Sequence, residues 1–340
     1  MLKQSTYLLL GIVLLLIAFL INISLGSVSI PLDNVLAALF GGDVDKESWR
    51  YIITDYRLPK ALTAIFVGSG LALSGLLMQT LFRNPLAGPY VLGISSGASL
   101  GVAIIIMGAS MFGGVFASYL NSGYSIAVAS SLGSFLVLLA VVVASARLRD
   151  TMAILIIGLM FASLTASVVS VLAYFSSAAQ LQQYMFWSFG SLGNLGWQEL
   201  SILGVTVGIG VIVSIFCLKN LNALLLGEHY AKSLGVNIKK NRFLIIVATS
   251  LLAGSITAFA GPIAFIGLAV PHLVRLVIKT TNHLILMPAV LCFGAILMLI
   301  CDAIAQLPNS EFTLPINAIT SLVGAPVVIW LLVRKRKLMF

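Results

Sequence analysis

Long stretches of this sequence carry no charged side chain, and they constrain the fold more than any other feature. Residues 84–146 contain no Asp, Glu, Lys or Arg, and residues 151–198 are again uncharged. A helix needs about 20 apolar residues to cross the hydrocarbon core of a bilayer. With 60% hydrophobic residues, 9% charged residues and a mean hydropathy of +1.12, the chain is predicted to be a polytopic membrane protein.

The uncharged runs predict helices, because a membrane β-barrel would show short segments of alternating polarity. We therefore expect an all-α protein with about ten transmembrane helices in a single domain over residues 1–340. The first apolar run follows Lys3 and could also be a signal peptide, although its small-residue cleavage pattern is weak. The predicted spans are residues 7–23, 61–81, two spans within 84–146, one ending before 176, about 200–218, 243–260, a short span at 263–274, 284–305 and 315–333.

The distribution of charge predicts how these spans are oriented. Outer turns are expected near residues 108–123 and 307–313, and a basic tail follows at 334–337. With the amino terminus inside, all but four of the 19 basic residues lie on the cytoplasmic side, which predicts that both termini are cytoplasmic. The net charge of +9 follows from this asymmetry and does not indicate a nucleic-acid partner. The four outer basic residues are Lys46, Arg50, Arg57 and Lys60.

The segment LNALLLGEHYAKSLGVNIKKNR, residues 221–242, is too polar to span a bilayer. Its apolar residues recur about one helical turn apart, and Gly227 and Gly235 are expected to break it into short helices. We predict two short helices held against another protein. The alternative is a solvated basic loop that only fixes the topology.

Small residues recur at every fourth position in two of the predicted spans. Gly68 belongs to one series, and Gly93, Gly97 and Gly101 form the other. This spacing lets helix backbones approach closely in lipid. We expect these glycines to pack helices within the subunit rather than to bind a ligand.

The sequence offers little for chemistry. It contains no phosphate-binding loop, no H-E-x-x-H pattern and no carboxylate pair, and Asp302, near an outer end, is the nearest candidate for an ionisable residue within a span. We predict no catalytic residue and no metal ligand, so any uphill transport would draw its energy from another chain. The alternative classes are a secondary transporter, which commonly keeps ionisable residues at mid-membrane, and an intramembrane enzyme.

Residues 57–101, from RLPKALTAIFVGSG to GISSGASLG, closely resemble the signature region of the permease subunits of bacterial ABC importers for iron-siderophores, haem and cobalamin. LLLGEHYAKSLGVNI is similar to that family's coupling segment, and GPIAFIGLAVPHLVR and LPINAITSLVGAPVVIWLL resemble the family's later landmarks. The resemblance covers nearly the whole chain. It implies a type II importer, with ten helices per membrane subunit in a homodimer that binds two cytoplasmic ATPase subunits.

The resemblance also implies roles for individual residues. The residues that would dock into a groove of the ATPase are Gly227, Glu228, Ala231, Leu234 and Gly235. At the outer start of the second span, Arg57 matches a basic residue that pairs with acidic residues of an extracytoplasmic substrate-binding protein, and Lys60 keeps only the charge. Many members have an arginine where this chain has Gln306, which predicts a weaker grip on the binding protein.

The implied substrate path runs along the dimer axis and is lined by the fifth and tenth spans. Its outer gate would lie in the connection that contains Trp187, Ser188, Gly190 and Ser191. The implied cargo is a bulky metal chelate, namely an iron-siderophore, haem or cobalamin, carried across the bacterial inner membrane. No cofactor is expected on this chain, because ATP and Mg²⁺ would bind to the partner ATPase.

Overall fold

The computed structural model of the chain describes residues 2–108, 123–147, 151–306 and 312–333. Every regular element in these ranges is a helix, which confirms the predicted all-α class. Within the described residues, six helices are long and apolar enough to cross a membrane, and four shorter apolar helices accompany them, in agreement with the predicted spans. The predicted turns at 108–123 and 307–313 lie largely outside the described residues, and the basic tail at 334–337 lies entirely outside them.

The helices follow the predicted order along the chain. A π-helix at Ile52–Arg57 joins α3 to α4, and a 3₁₀ turn at Pro89–Leu92 precedes α5. The α-helices are α1 (Leu2–Ser24), α2 (Leu32–Phe40), α3 (Glu47–Tyr51), α4 (Leu58–Leu81), α5 (Ile94–Gly108), α6 (Gly123–Arg147), α7 (Thr151–Tyr174), α8 (Ala178–Ser188), α9 (Trp197–Leu225), α10 (Glu228–Ser233), α11 (Ile238–Ala260), α12 (Ile266–Ile278), α13 (His283–Ala305) and α14 (Ile316–Val333).

Helix α9 is longer than the predicted span at 200–218, and it absorbs the start of the polar segment. Leu221, Ala223 and Leu224 are good helix formers with buried side chains, and nothing interrupts the helix before Gly227. The prediction of two separate short helices within 221–242 is therefore wrong. The first of them is the end of α9, and α10 alone is a short independent helix.

One compact unit comprises the described residues of 1–76, 191–205 and 263–339. Within it α1 packs against α13, and α12, α13 and α14 contact one another. Helix α4 approaches α13 so closely that the hydroxyl of Ser69 donates a hydrogen bond to the carbonyl of Leu291 at 2.9 Å. This unit contains Arg57, Lys60 and Asp302, the charged residues that the sequence places near the outer side.

The other compact unit comprises the described residues of 77–190 and 206–262. Helix α5 packs against α6, α7 and α8, and α6 also packs against α11. The buried face of α5, which includes Val102 and Ile106, is covered by apolar side chains that include Tyr184 and Trp187 of α8. Helix α10 belongs to this unit. The single-domain organisation over the whole chain stays a prediction.

Candidate functional site

Helix α10 and its two flanking turns form the segment for which the sequence predicts a partner. Gly227 has φ of +106° and Gly235 has φ of +83°, so both lie in the left-handed region that glycine adopts without a steric penalty. They separate α10 from α9 on one side and from α11 on the other. The two glycines thus lie at the breaks that the sequence predicts.

The apolar residues of α10 divide between its own chain and solvent. Ala231 is fully buried by the rest of the chain, with an exposed fraction of 0%, whereas Tyr230 and Leu234 are 52% and 58% exposed. The expectation that Ala231 faces a partner is therefore corrected, because its side chain is already covered within this chain. Tyr230 of α10 and Leu234, which directly follows α10, form the apolar surface that this segment presents.

An ion pair holds α10 on α11. A carboxylate oxygen of Glu228 lies 3.3 Å from a guanidinium nitrogen of Arg242. Arg242 is largely buried and Glu228 is about one third exposed, so the pair is only partly open to water. Glu228, which the family resemblance places at an ATPase contact, thus connects α10 to the fifth residue of a 23-residue helix.

Arg57 is directed into its own chain. Its Nη1 donates to the carbonyls of Ile23 and Ser24 at 2.8 and 2.9 Å, and its Nη2 donates to the carbonyl of Val28. These carbonyls lie at and beyond the end of α1, and the side chain is 9% exposed overall. The guanidinium therefore satisfies the carboxyl end of α1 and does not project toward a docking protein.

Lys60 joins a polar cluster centred on Asp302. Lys60 Nζ lies 3.1 Å from Asp302 Oδ1, and the two side chains are 22% and 3% exposed. The other carboxylate oxygen accepts hydrogen bonds from Asn22 Nδ2 at 2.9 Å and from Gln306 Nε2 at 2.7 Å. Gln306, which the family resemblance aligns with an arginine of many members, is an internal partner of Asp302.

The predicted outer gate lies at the end of α8 and in the turn after it. Gly190 has φ of +72°, and Ser188 Oγ donates to the carbonyl of Met185. A Cβ added to Gly261, after α11, would lie 2.8 Å from the carbonyl oxygen of Trp187 and 2.9 Å from the Cα of Gly190. This connection therefore packs directly on the turn that follows α11. Ser191 lies in the turn beyond it, where its hydroxyl accepts a hydrogen bond from the amide of Gly193.

The glycines predicted to pack helices lie at close helix contacts. A Cβ at Gly68 would lie 2.2 Å from the carbonyl oxygen of Gly294 on α13. Added Cβ atoms at Gly97 and Gly101 would lie 2.4 and 2.0 Å from carbonyl oxygens of α6. Gly93 lies before α5, with φ of +74°.

Sequence reasoning missed a still closer contact at Gly75. A Cβ there would lie 1.8 Å from the carbonyl oxygen of Gly267 on α12. Gly75 lies outside the four-residue series on α4, which runs from Gly68 through Ala72 to Leu76, and α12 carries no such repeat. Among the described residues no group of three or more His, Cys, Asp or Glu side chains could hold a metal ion.

Comparisons with known proteins agree with this architecture. A family model described as the FecCD transport family matches residues 14–334. The chain is 35% identical over 326 residues to the vitamin B12 import system permease protein BtuC of Klebsiella pneumoniae, covering 95% of this chain and 92% of the relative. It is 35% identical over 332 residues to the hemin transport system permease protein HmuU of Yersinia pestis, covering 97% and 96%.

A solved structure is also similar. It is described as a metal-chelate type ABC transporter in an inward-facing conformation, and it matches with a TM-score of 0.84 at 30% sequence identity. The match covers 98% of this chain and 100% of the other. At this identity and coverage, the two chains share the same helical fold.

Proposed function

The chain belongs to the FecCD transport family of ABC importer permeases, and we propose that it is the membrane-spanning subunit of an ATP-driven importer for a bulky metal chelate. The observation that carries the proposal is the identity of 35% to a vitamin B12 permease and to a hemin permease, in each case over nearly the full length of both chains. The proposed cargo is an iron-siderophore, haem or cobalamin. The proposed location is the bacterial inner membrane, with both termini cytoplasmic.

We propose that α10 binds a separate ATPase subunit and transmits the conformational change that accompanies ATP hydrolysis to this chain. Its exposed Tyr230 and Leu234 give a groove on that subunit apolar surface to bury. The ion pair between Glu228 and Arg242 fixes α10 to α11, so that a displacement of α10 moves a long helix with it. Gly227 and Gly235 allow the sharp turns on either side.

The chemistry of hydrolysis is proposed to lie entirely on two such ATPase subunits, which would bind ATP and Mg²⁺. In this proposal the chain forms the transport path and transmits the conformational change of the ATPase, but it is not an enzyme and needs no cofactor of its own. That division of labour fits a sequence without a phosphate-binding loop.

We further propose that two copies of the chain assemble around the substrate path. Helix α7 carries a row of exposed apolar side chains that a single chain leaves uncovered, including Leu164, Val168 and Val171. A second copy would cover part of this row, and lipid would cover the rest. The proposed outer gate consists of Trp187, Ser188, Gly190 and Ser191, to which an extracytoplasmic binding protein would deliver the chelate.

Arg57 and Lys60 would contribute to docking of the binding protein through charge rather than direct contact. Arg57 bonds to neutral carbonyls and keeps its positive charge, whereas the charge of Lys60 is balanced by Asp302. A fixed positive charge attracts an acidic partner over about 10 Å at 0.1 M salt. We therefore expect Arg57 to contribute more than Lys60 to the electrostatic attraction of the binding protein.

The decisive experiment compares two charge-introducing substitutions near α10. Leu234→Glu puts a carboxylate into the proposed apolar contact, where an unpaired charge costs several kcal/mol, or more than tenfold in affinity. Lys239→Glu changes an exposed residue in the first turn of α11 and serves as the control. We expect the Leu234 variant to lose most of the ATPase that co-purifies with the membrane subunit, while the Lys239 variant keeps it.

Reconstituted uptake completes the test. Proteoliposomes that contain wild-type permease, ATPase and binding protein should accumulate one of the three chelates only when ATP is supplied. Uptake by this chain alone under an ion gradient would contradict the proposal and support a secondary transporter. Full retention of the ATPase by Leu234→Glu would instead remove α10 from the coupling role.

A further inference from the structure

A cleft of about 420 Å³ lies between the end of α9 and the beginning of α11. Its polar lining consists of Asn220 from α9 and Asn237, Lys240 and Asn241 from the start of α11. No acidic side chain is among the residues that line it. The cleft thus combines amide donors with a cation at one end of two long apolar helices.

Asn241 is the feature that requires an explanation. Its exposed fraction is 2%, and neither its amide nitrogen nor its amide oxygen has a hydrogen-bond partner among the described residues. Buried amides are almost always hydrogen-bonded, because an unpaired buried amide loses its hydrogen bonds to water without replacement. A side chain of this kind on the wall of a cleft indicates a ligand that supplies the missing partner.

The charges around the cleft favour an anion. Lys240 is exposed and lines the cleft, and Lys239 is its neighbour. The nearest carboxylate along this segment, Glu228, is paired with Arg242. The cleft also adjoins the first turn of α11, where the helix dipole favours negative charge. An oxyanion could accept hydrogen bonds from these donors together.

The apolar side of the cleft favours a lipid over a free ion. Val213, Phe216 and Leu244 complete the lining, and Phe216 is 74% exposed. Ile212 and Ile215 on the same helix are also more than half exposed, so an apolar surface of α9 leads to the cleft. A phosphate group bound at Lys240 and Asn241 could therefore place an acyl chain along that surface.

We propose that this cleft binds the phosphate of an anionic phospholipid in the leaflet that faces the basic end of α11. Lys240 supplies the charge and Asn241 an amide hydrogen bond. Asn220 and Asn237 complete the donor set. The proposal requires only that the helices span a membrane, so it can fail while the importer function stands, and the reverse also holds.

The test measures lipid binding to the purified full-length membrane subunit without its ATPase. After delipidation in neutral detergent, titration with phosphatidylglycerol is followed by native mass spectrometry, with phosphatidylcholine and inorganic phosphate as comparison probes. We expect Lys240→Gln to weaken phosphatidylglycerol binding about fivefold, since one surface cation contributes roughly that much attraction to an anionic lipid. Asn241→Leu, which keeps the side-chain volume, should weaken binding to a similar extent.

Lys239→Gln is the matched control. It removes the same charge from the neighbouring residue, whose side chain does not line the cleft. It should change binding less than about twofold. Four outcomes would overturn the proposal: equal binding by all variants, an equal loss in the Lys239 variant, displacement of the lipid by inorganic phosphate at similar concentration, or displacement by purified ATPase. The exposed Lys240 variant keeps the test valid if Asn241→Leu fails to fold.

Discussion

At the scale of single residues, the polar cluster around Asp302 shows how a charge is accommodated near the end of an apolar helix. Its side chain is 3% exposed. The carboxylate forms an ion pair with Lys60 and accepts hydrogen bonds from Asn22 and Gln306. A buried charge is tolerated only while its partners neutralise it and occupy its lone pairs. The cluster connects α1, the start of α4 and the end of α13, and its stability depends on all of its members.

Removal of Asp302 should therefore be costly. Asp302→Ala leaves the ammonium group of Lys60 largely buried without its counter-charge. It also removes the carboxylate that accepts from Gln306 and from Asn22, and Asn22 keeps only its hydrogen bond to the carbonyl of Leu299. We expect a loss of about 3 kcal/mol in the free energy of unfolding. Thermal unfolding of the purified subunit in detergent measures the change.

The double variant Lys60→Met with Asp302→Leu should recover much of this loss, because it removes both charges and retains apolar volume. Glu47→Ala is the control for a general effect of removing a carboxylate. Its ion pair with Arg50 is solvent-exposed, so it should cost about 1 kcal/mol or less. An effect of Asp302→Ala as small as that of Glu47→Ala would contradict the proposed role of the cluster.

The sequence predicted where the outer basic residues lie but not what they bind. The hydrogen bonds of Arg57 depend on the loop after α1, where a Cβ at Gly26 would lie 2.7 Å from the guanidinium. Lys60 and Asp302 are more than two hundred positions apart in the chain. Tertiary contacts of this kind leave no local pattern, and the burial of Ala231 escaped prediction for the same reason.

At the scale of helices, close backbone contacts are made where glycines meet. Gly75 of α4 faces Gly267 of α12, and Gly68 of α4 faces Gly294 of α13. In lipid no hydrophobic effect drives helices together, so dispersion contacts between closely packed backbones carry much of the association. Such contacts tolerate no added side-chain atom, because the opposing group is itself backbone.

Gly75→Ala should accordingly disturb the packing of α4 on α12. The added methyl would lie 1.8 Å from the carbonyl oxygen of Gly267, which can move only if a helix moves. Overpacking of this kind costs about 1–3 kcal/mol and occasionally more. Gly208→Ala on α9 is the matched control, since its added Cβ would have nothing within 4 Å in this chain.

The comparison is read from the fraction of each variant that stays monodisperse after heating in detergent. The Gly75 variant should aggregate at a clearly lower temperature than wild type, and the Gly208 variant should behave as wild type. If both variants are equally stable, the helices are not closely packed at Gly75.

Helix positions were largely predictable because each span leaves an apolar run between polar residues. Helix boundaries were less predictable. Helix α11 begins at Ile238 rather than near 243, because the side chain of Asn237 accepts a hydrogen bond from the backbone amide of Lys240 and caps the helix. The extension of α9 to Leu225 likewise depends on Leu221 and Leu224 being buried, which hydropathy alone could not distinguish from a surface turn.

At the scale of the whole molecule, orientation is the feature on which the functional proposals depend. Coupling by α10 requires that helix to face the cytoplasm, and binding-protein docking near Arg57 requires the opposite side. The charge asymmetry predicts both, because basic loops are retained on the cytoplasmic side during insertion. Some basic residues of that count, including Arg149 and the tail at 334–337, lie outside the described residues.

Single cysteines test the orientation directly. Asp43 and Lys239 are both exposed, and the sequence places them on opposite sides of the membrane. The native Cys217 and Cys301 are buried and Cys292 is partly so; all three should be replaced by serine or alanine to provide a background without thiols. Asp43 is preferable to Asp45, whose carboxylate accepts a hydrogen bond from Asn34.

We expect a membrane-impermeant maleimide to label Asp43→Cys in intact spheroplasts and to label Lys239→Cys only after the membrane is permeabilised. Both thiols would be solvent-exposed, so a difference in labelling before permeabilisation reports their side and not their reactivity. Labelling of both in intact spheroplasts, or of neither, would mean that the number of crossings between α2 and α11 is not the odd number that the predicted topology requires. In that case α10 could not meet a cytoplasmic ATPase while Arg57 faced the outside.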